Sequence, residues 1–187
     1  MDKTLIIITT YNGQEYIKRC LNGIYDNKGY DIFIIDNGST DKTIDIIEND
    51  YPKVQVIKNK ENIGFGQATN IGLSYALKNN YHYVALLNQD TKVDLETLID
   101  LIATSKLYPN YGILSPLHYF TNNVLQKSFS NHIKANSSLI EDIENRFFTK
   151  EIYDLPFVNA AIWMMNIDCI KKVGGFCPAF FHYGEDD

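Results

Sequence analysis

Residues 32–41 read IFIIDNGSTD, a short apolar run followed at once by polar residues and a glycine. The apolar half, Ile32 to Ile35, is continuous rather than alternating, which is typical of a strand buried on both faces. The polar half has the residue types of a tight turn and of a helix N-cap. The stretch therefore predicts one strand of a parallel sheet, with its turn at the carboxyl edge where such sheets bind ligands.

Apolar runs of strand length recur along the chain, at Leu5 to Ile8, Val54 to Ile57, Tyr83 to Leu87, Ile113 to Leu114 and Phe157 to Met165. Segments with helical spacing lie between the first five of the predicted strands, and a short helix follows the last strand at Asp168 to Val173. The clearest helix contains Leu95, Leu98, Ile99 and Ile102, with Asp94 as its N-cap. Repeated strand-then-helix units predict a parallel, three-layer α/β sheet. The polar stretch from Ser128 to Lys150 is interpreted as a variable and mobile segment.

Composition and charge exclude several classes of protein. The 187 residues are 45% hydrophobic and 21% charged, which is typical of a soluble globular domain. A formal net charge of −6 argues against nucleic-acid binding, which needs a basic surface. Three cysteines without CxxC spacing predict neither a zinc site nor a disulfide framework. No apolar run reaches the length of a membrane span. No linker divides the chain either, so we expect one domain.

Polar residues follow four of the predicted strands, at Thr9 to Gly13, Asp36 to Asp41, Asn59 to Gly66 and Asn88 to Asp90. Each cluster alone is explained by turn or loop chemistry, and Asp90 by a solvated loop acid. The carboxyl ends of parallel strands meet at one edge, however, so the clusters are expected to lie together. A further group of acids, Glu185 to Asp187, follows an aromatic stretch. It is either a general base in a partly dry pocket or a frayed tail.

Taken in order, six motifs resemble the family 2 inverting glycosyltransferases with the GT-A fold, and within them a rhamnosyltransferase-like branch. The motifs are TTYN at 9–12, IDNGSTD at 35–41, NIGFG at 62–66 with NIG at 70–72, LNQD at 87–90, VGGF at 173–176 and FHYGED at 181–186. The resemblance implies a three-layer α/β/α sandwich around a mostly parallel sheet. It also implies one catalytic domain over 1–187, incomplete at its C-terminus, with a nucleotide-sugar-binding half at 1–116 and an acceptor-side half at 117–187.

The resemblance implies roles for residues at the sheet edge. Asp36 would accept a hydrogen bond from the ring N–H of a pyrimidine base, which predicts a UDP- or dTDP-sugar donor. The residues expected to bind the nucleotide sugar are Thr9, Tyr11, Asn12, Asp36, Asn37, Gly38, Ser39, Asn62, Gly64, Gly66, Asn70, Asn88 and Gln89. Asp90 would bind Mg²⁺ or Mn²⁺ through the donor diphosphate. Asn88 stands where many relatives have an acid, which favours dTDP-rhamnose.

The acceptor side is assigned by the same resemblance. Asp186 would be the catalytic base, with Glu185 orienting it or the acceptor. Trp163 and His182 would contact the acceptor, although a packing role explains either residue as well. Asn159 and Cys177-Pro178 depart from the family pattern on this side.

The expected function is transfer of a sugar, with inversion, to a hydroxyl on a saccharide or lipid-linked saccharide acceptor in cell-surface polysaccharide synthesis. The resemblance further implies a cytoplasmic location and peripheral membrane association through a segment beyond residue 187.

Two other functions are consistent with these residues. A nucleotidyltransferase also has a nucleotide-binding parallel sheet, but residues 9–13 lack the glycine-rich, basic loop that such enzymes have after the first strand. A non-catalytic nucleotide-binding domain is the other alternative, and Asn88 favours it. Release of pyrophosphate would identify the first of these functions, and binding without turnover the second.

Overall fold

The structure is a computed structural model, and it describes residues 2–26, 29–120, 122 and 124–180. The chain divides into two compact units. The sheet unit comprises Met1–Ser115 and Ala160–Asp187, and the small unit comprises Pro116–Asn159. The candidate functional residues that the structure describes lie in the sheet unit.

A six-stranded sheet forms the centre of the sheet unit as described. Its strands are β1 (Thr4–Thr10), β2 (Asp31–Asp36), β3 (Gln55–Lys58), β4 (Tyr83–Asn88), β5 (Ile113–Leu114) and β6 (Ile162–Asn166). They lie in the order β3-β2-β1-β4-β6-β5. The first four of these are mutually parallel, whereas β6 is antiparallel to both of its neighbours. The predicted, mostly parallel α/β sheet is therefore confirmed.

Seven helices lie in the described ranges: the fifth and sixth along the chain belong to the small unit, and the other five belong to the sheet unit. They are α1 (Ile17–Asn22), α2 (Thr43–Asp50), α3 (Phe65–Lys78), α4 (Leu95–Leu107), α5 (Lys127–Ile133), α6 (Ser137–Asn145) and α7 (Ile167–Val173). Helix α3 packs closely on the sheet at Gly72, where a Cβ atom would lie 2.7 Å from Cγ2 of Ile7. This close approach places the N-terminus of α3 beside the carboxyl ends of β1 and β2. None of the helices, over the ranges described, is long and apolar enough to cross a bilayer.

The central strands are buried as their composition predicts. Leu5 to Ile8 of β1 and Phe33 to Ile35 of β2 are almost completely shielded from solvent. Cys20 of α1 joins the same core, and its burial raises the pKa of the thiol to about 12. Cys20 is therefore a packed residue, in agreement with its position on the apolar face of α1.

Three strands differ from the predictions. Strand β5 lies at one edge of the sheet, so Ile113 is 37% exposed rather than buried. Strand β3 lies at an edge of the sheet, so Gln55 and Lys58 are exposed and Ile57 is 37% exposed, rather than buried on both faces. Strand β6 begins at Ile162 instead of Phe157. The reason is the length of its partner: Leu87 pairs with Ile162, and β4 ends one residue later. Residues before Ile162 therefore have little of β4 left to pair with.

The small unit contains more regular structure than its sequence predicted. Helices α5 and α6 occupy much of the stretch from Ser128 to Lys150. Phe129, Ile133 and Leu139 form a small core of their own. The carboxylate of Asp142 accepts hydrogen bonds from the backbone N–H and hydroxyl of Thr149 at 2.9 and 2.7 Å and from the hydroxyl of Tyr153. The scattered apolar residues of this stretch are thus the inner faces of two short helices.

The N-terminus of α4 has the cap that the sequence predicts. Oδ1 of Asp94 accepts a hydrogen bond from the backbone N–H of Thr97 at 2.9 Å, and Glu96 lies in the first turn. Hydrogen bonds from Thr97 hold the pKa of Asp94 below its ordinary value.

Asp94→Ala is expected to lower the free energy of unfolding by about 1 kcal/mol near neutral pH, because the first turn of α4 loses its cap. A carboxyl group with a depressed pKa in the folded state stabilises the fold above its unfolded pKa, and this contribution disappears as pH falls through the folded value. The free energies of unfolding that urea titrations give for wild type and variant should therefore converge as pH falls through the depressed pKa of Asp94. Exposed Asp100, on the same helix, supplies the control Asp100→Ala. An equal loss of stability in both variants would refute the cap.

Candidate functional site

A cleft of about 560 Å³ opens at the carboxyl edge of the sheet. It is lined by Thr9, Thr10, Tyr11, Tyr16, Asn37, Asn62, Gly64, Phe65, Asn88, Gln89 and Asp90. Most of these residues lie at the carboxyl ends of β1 and β4 or in the loops that follow β1, β2, β3 and β4, so the structure brings together the four polar clusters that the sequence placed at one edge. Open parallel sheets bind ligands at the carboxyl ends of their strands, so the position of this cleft is that of a ligand-binding site.

Asp36 ends β2 beside this cleft and is 2% exposed. It pairs in register with Thr10 and precedes Asn37, both of which line the cleft. Its Oδ2 accepts a hydrogen bond from the backbone N–H of Ser39 at 3.0 Å. Its Oδ1 is buried and has no hydrogen-bond partner among the described residues. A buried acceptor without a partner is costly in a native protein, and a ligand that donates to it would explain its position.

The turn after Asp36 depends on Gly38, whose φ of +82° favours glycine. A Cβ atom there would also lie 2.8 Å from the carbonyl carbon of Glu61. Ser39 then accepts a hydrogen bond from the backbone N–H of Asn12 at 2.9 Å, and Oδ1 of Asn12 accepts one from the backbone N–H of Thr40 at 2.9 Å. Asn12 and Ser39 thus join the loops that follow β1 and β2.

Asn37 holds the loop before α3. Its Nδ2 donates to Oδ1 of Asn62 at 2.8 Å, and its Oδ1 accepts from the backbone N–H of Ile63 at 3.1 Å. Gly64 follows with a φ of +89° and precedes the first residue of α3, Phe65. Asn37, Asn62 and Gly64 therefore shape one wall of the cleft as well as lining it.

Gln89 connects the loop after β4 to the loop after β1. Its Oε1 accepts hydrogen bonds from the hydroxyl of Thr10 at 2.6 Å and from the backbone N–H of Tyr11 at 3.1 Å. Its Nε2 donates to the carbonyl oxygen of Tyr11 at 3.1 Å. The ring of Tyr11 remains 43% exposed at the rim of the cleft, where it can stack on a planar ligand.

Asp90 and Asn88 present hard oxygen atoms to the cleft. The Asp90 side chain is exposed, and its backbone oxygen accepts a hydrogen bond from Nη2 of Arg19 at 2.8 Å. Neither side chain has a hydrogen-bond partner within the part of the chain that the structure describes. No lysine or arginine is among the described residues that line the cleft. Asp90 is therefore available to a cation.

Seven of the described residues predicted for the site are not among those that line the cleft. Asn12, Asp36, Gly38 and Ser39 lie in the strand end and loops described above, and the other three are Gly66, Asn70 and Trp163. Asn70 uses both ends of its amide on the main chain of Phe176, donating to its oxygen and accepting from its N–H at 2.8 Å each. Gly66 is buried in the first turn of α3. Trp163 is 7% exposed, and its ring stacks on that of Phe176 with centroids 6.0 Å apart. These contacts give Asn70 and Trp163 packing roles, while an acceptor contact by Trp163 stays a prediction.

The remaining predicted site residues are three near the C-terminus and Thr9. His182, Glu185 and Asp186 lie outside the described residues, so their proposed roles stay predictions. Thr9 lines the cleft, and its hydroxyl shares a hydrogen bond of 2.9 Å with the hydroxyl of Thr69.

The sequence reasoning missed two aromatic residues of the cleft, Tyr16 and Phe65. Tyr16 is 44% exposed and directly precedes α1. Its position, shortly after a strand exit and before the first apolar residue of a helix, was a signal that could have identified it.

Across the described ranges, no three His, Cys, Asp or Glu side chains lie close enough together to hold an ion by themselves. The carboxylate of Asp90 nevertheless suits a hard divalent cation that takes its other ligands from a bound diphosphate and from water. The residues thus fit a cation that binds together with its ligand rather than a closed protein site.

Comparison with known proteins identifies the family. The model of the family "Glycosyl transferase family 2" matches residues 5–171. The chain belongs to glycosyl transferase family 2. The family predicted from the six motifs is confirmed, and the rhamnosyltransferase-like branch stays a prediction.

Curated proteins that the chain matches are longer than the chain itself. A teichoic acid poly(glycerol phosphate) polymerase of Staphylococcus epidermidis is 29% identical over 157 residues, which cover 81% of this chain and 21% of that protein. Glycosyltransferase SunS of Bacillus subtilis is 35% identical over 109 residues, 58% of this chain and 26% of that protein. The chain thus spans about a fifth to a quarter of the length of these two relatives.

Solved structures share the fold. TarS of S. aureus, residues 1–349, superposes with a TM-score of 0.71 at 20% identity and covers 100% of this chain and 53% of that chain. The mannosyltransferase PcManGT of Pyrobaculum calidifontis, solved with GDP-Man and Mn²⁺, has a TM-score of 0.68 at 18% identity over 98% of this chain and 49% of that chain. The predicted GT-A fold is confirmed.

Proposed function

We propose that the chain binds the donor of an inverting glycosyltransferase that moves a sugar from a UDP- or dTDP-sugar to a hydroxyl acceptor. The observation that carries the proposal is the buried Oδ1 of Asp36, which lacks a partner among the described residues beside a cleft of nucleotide size. A uracil or thymine ring has an N–H that would satisfy this oxygen. Tyr11, exposed at the rim, would stack on the same ring.

The diphosphate of the donor would lie between the N-terminus of α3 and Asp90. Phe65 and the residue after it have backbone N–H groups at a helix N-terminus, which favours phosphate. The carboxylate of Asp90 alone would repel a diphosphate, and no lysine or arginine lines the described part of the cleft to offset it. We therefore assign Asp90 to a Mg²⁺ or Mn²⁺ ion bound with the donor. Such an ion supplies positive charge where the departing diphosphate becomes more negative.

The acceptor half of the reaction is assigned by family resemblance. Asp186 would take the proton from the acceptor hydroxyl as that oxygen attacks the anomeric carbon, and Glu185 would orient this base. Attack from the face opposite the diphosphate inverts the anomeric configuration in one displacement. His182 and Trp163 would lie beside the acceptor, a saccharide or lipid-linked saccharide of cell-surface polysaccharide.

Two proteins of known structure with the same fold support a nucleotide-sugar donor. TarS has been solved with UDP and with UDP-GlcNAc, and PcManGT with GDP-Man and Mn²⁺. We propose a pyrimidine nucleotide for this chain because Asp36 matches a ring N–H, and dTDP-rhamnose because Asn88 replaces the first acid of the metal motif. A cytoplasmic location, with association at the inner face of the membrane, belongs to the same proposal.

The test is a thermal-shift series with uridine, thymidine, guanosine and adenosine diphosphates, each with and without Mn²⁺. A ligand at a hundred times its dissociation constant should add about 2.7 kcal/mol to the free energy of unfolding. We expect a metal-dependent rise in melting temperature with a pyrimidine diphosphate alone. A response to the purine nucleotides only, or to none of the four, would contradict the proposal. Release of pyrophosphate from a nucleoside triphosphate would instead identify a nucleotidyltransferase.

A further inference from the structure

The side-chain amide of Gln89 is committed to the loop after β1. Three hydrogen bonds join it to Thr10 and Tyr11, with lengths of 2.6, 3.1 and 3.1 Å. Two of them pair the amide with the N–H and the carbonyl group of the same residue, Tyr11, so the peptide groups on both sides of Tyr11 are held. The next residue after Gln89 is Asp90, the proposed cation ligand.

We propose that Gln89 is a positioning residue that fixes the loop after β1, which contains Tyr11, relative to Asp90. This inference rests on the proposed function. Its amide holds the main chain of Tyr11 through both the N–H and the carbonyl group, and the ring of Tyr11 lies at the rim of the cleft. Because Gln89 and Asp90 are adjacent, the same short segment sets the place of the base and the place of the cation. Gln89 thereby sets the distance between the part of the cleft that would bind the base and the part that would bind the cation.

Gly13 supplies independent support for this role. A Cβ atom on Gly13 would lie 2.1 Å from Oε1 of Gln89 and 2.9 Å from Oγ1 of Thr10. The backbone of Gly13 lies outside the left-handed region that favours glycine, so space for the Gln89 amide is the reason for a glycine here. Gly13 and Gln89 are 76 positions apart in the sequence, yet they pack against each other, and the absence of a side chain at Gly13 leaves the space that the Gln89 amide fills.

This role differs from direct contact between Gln89 and the donor. If Gln89 only touched the ligand, Gln89→Ala would weaken binding but leave the loop that contains Tyr11 in place. If Gln89 positions the loop, Gly13→Ala displaces the amide and reproduces the effect of Gln89→Ala. The two substitutions should then not be additive, because each disrupts the same set of hydrogen bonds.

The experiment is a double-mutant cycle read by calorimetry, with UDP and dTDP in the presence of Mn²⁺ and with uridine and thymidine alone. Gln89→Ala and Gly13→Ala should each weaken nucleoside binding about tenfold, and the double variant should bind as Gln89→Ala does. Two controls match the substitutions in kind. Gln55→Ala removes a glutamine of the edge strand β3 that accepts a hydrogen bond from the hydroxyl of Tyr75. Gly29→Ala adds a Cβ atom that would meet no other atom within 4 Å. Both controls should bind as wild type does.

Hydrogen exchange separates positioning from a general loss of structure. The amide of Tyr11 should exchange at least tenfold faster in Gln89→Ala, while the amide of Ile7 in the centre of β1 keeps its protection. Equal acceleration at both amides would show a structural defect and overturn the proposal. If Gln89→Ala does not fold, Gln89→Met, which keeps the length of the side chain without its amide, replaces it.

The outcomes distinguish the two proposals. Wild type that binds pyrimidine diphosphates, with variants that bind equally well or with losses that add in the double variant, would overturn the role of Gln89 alone. Wild type that binds no pyrimidine nucleotide would overturn the proposed function, and with it the positioning role.

Discussion

Asp36→Asn should weaken binding of UDP and dTDP by about a hundredfold while leaving the fold intact. The asparagine oxygen can still accept the hydrogen bond that Ser39 donates to Oδ2. Its NH₂ group then occupies the place of the buried Oδ1 and meets the ring N–H of the base, donor against donor. A buried pairing of this kind loses the hydrogen bond and leaves a polar group unsatisfied, about 3 kcal/mol in all.

The choice of base provides a second measurement of the same residue. Cytosine has an acceptor nitrogen where uracil has the ring N–H, so wild type should prefer UDP to CDP, and Asp36→Asn should reduce or reverse that preference. Asp31→Asn, at the other end of β2, is the matched control, since Asp31 is exposed and bonds to Tyr81. Unchanged discrimination between UDP and CDP in Asp36→Asn would remove Asp36 from base recognition.

Asp90→Ala should abolish the dependence of diphosphate binding on Mn²⁺. In wild type we expect Mn²⁺ to increase affinity for UDP or dTDP at least tenfold, because a cation offsets the repulsion between Asp90 and the diphosphate. In the variant the increase should fall below about twofold, since the carboxylate that holds the cation is absent. Binding of the free nucleoside should be the same in both proteins, with or without metal.

The sign of the effect without metal makes this test specific. In the presence of EDTA, Asp90→Ala should bind the diphosphate more tightly than wild type, because the repulsive carboxylate has been removed. Asp100→Ala, an exposed acid on α4, controls for the loss of one negative charge. Calorimetry that finds an undiminished Mn²⁺ effect in Asp90→Ala would place the cation elsewhere.

The strands and the site edge were predictable because their signals are local. Continuous apolar runs identified β1, β2 and β4, and the residue types after each run identified the edge that binds ligands. Asp94 was recognised as a cap because its partner, Thr97, lies three residues away. The family resemblance depends on the same feature, since each of its motifs is a short, continuous stretch.

The roles of individual amides could not be read from the sequence. Asn70 was expected to bind the nucleotide, yet its partner Phe176 lies 106 positions away. Gln89 was likewise expected to bind the donor directly, and its bonds to Thr10 and Tyr11 span 79 and 78 positions. An amide is suited to a ligand and to a distant peptide alike, so only the folded chain shows which one it meets. Helices α5 and α6 were missed because they are short and pack on each other rather than on a long apolar stripe.

The buried thiol of Cys20 provides a measure of how often the sheet unit opens transiently. Its Sγ lies 3.8 Å from the backbone oxygen of Asn88, directly behind the residues that face the cleft. A thiol with a pKa of about 12 supplies almost no thiolate near neutral pH, so an alkylating reagent modifies it only in molecules that have opened transiently. Because a bound ligand makes such opening rarer, the labelling rate of Cys20 measures occupancy of the cleft in a chain that carries no added reporter group.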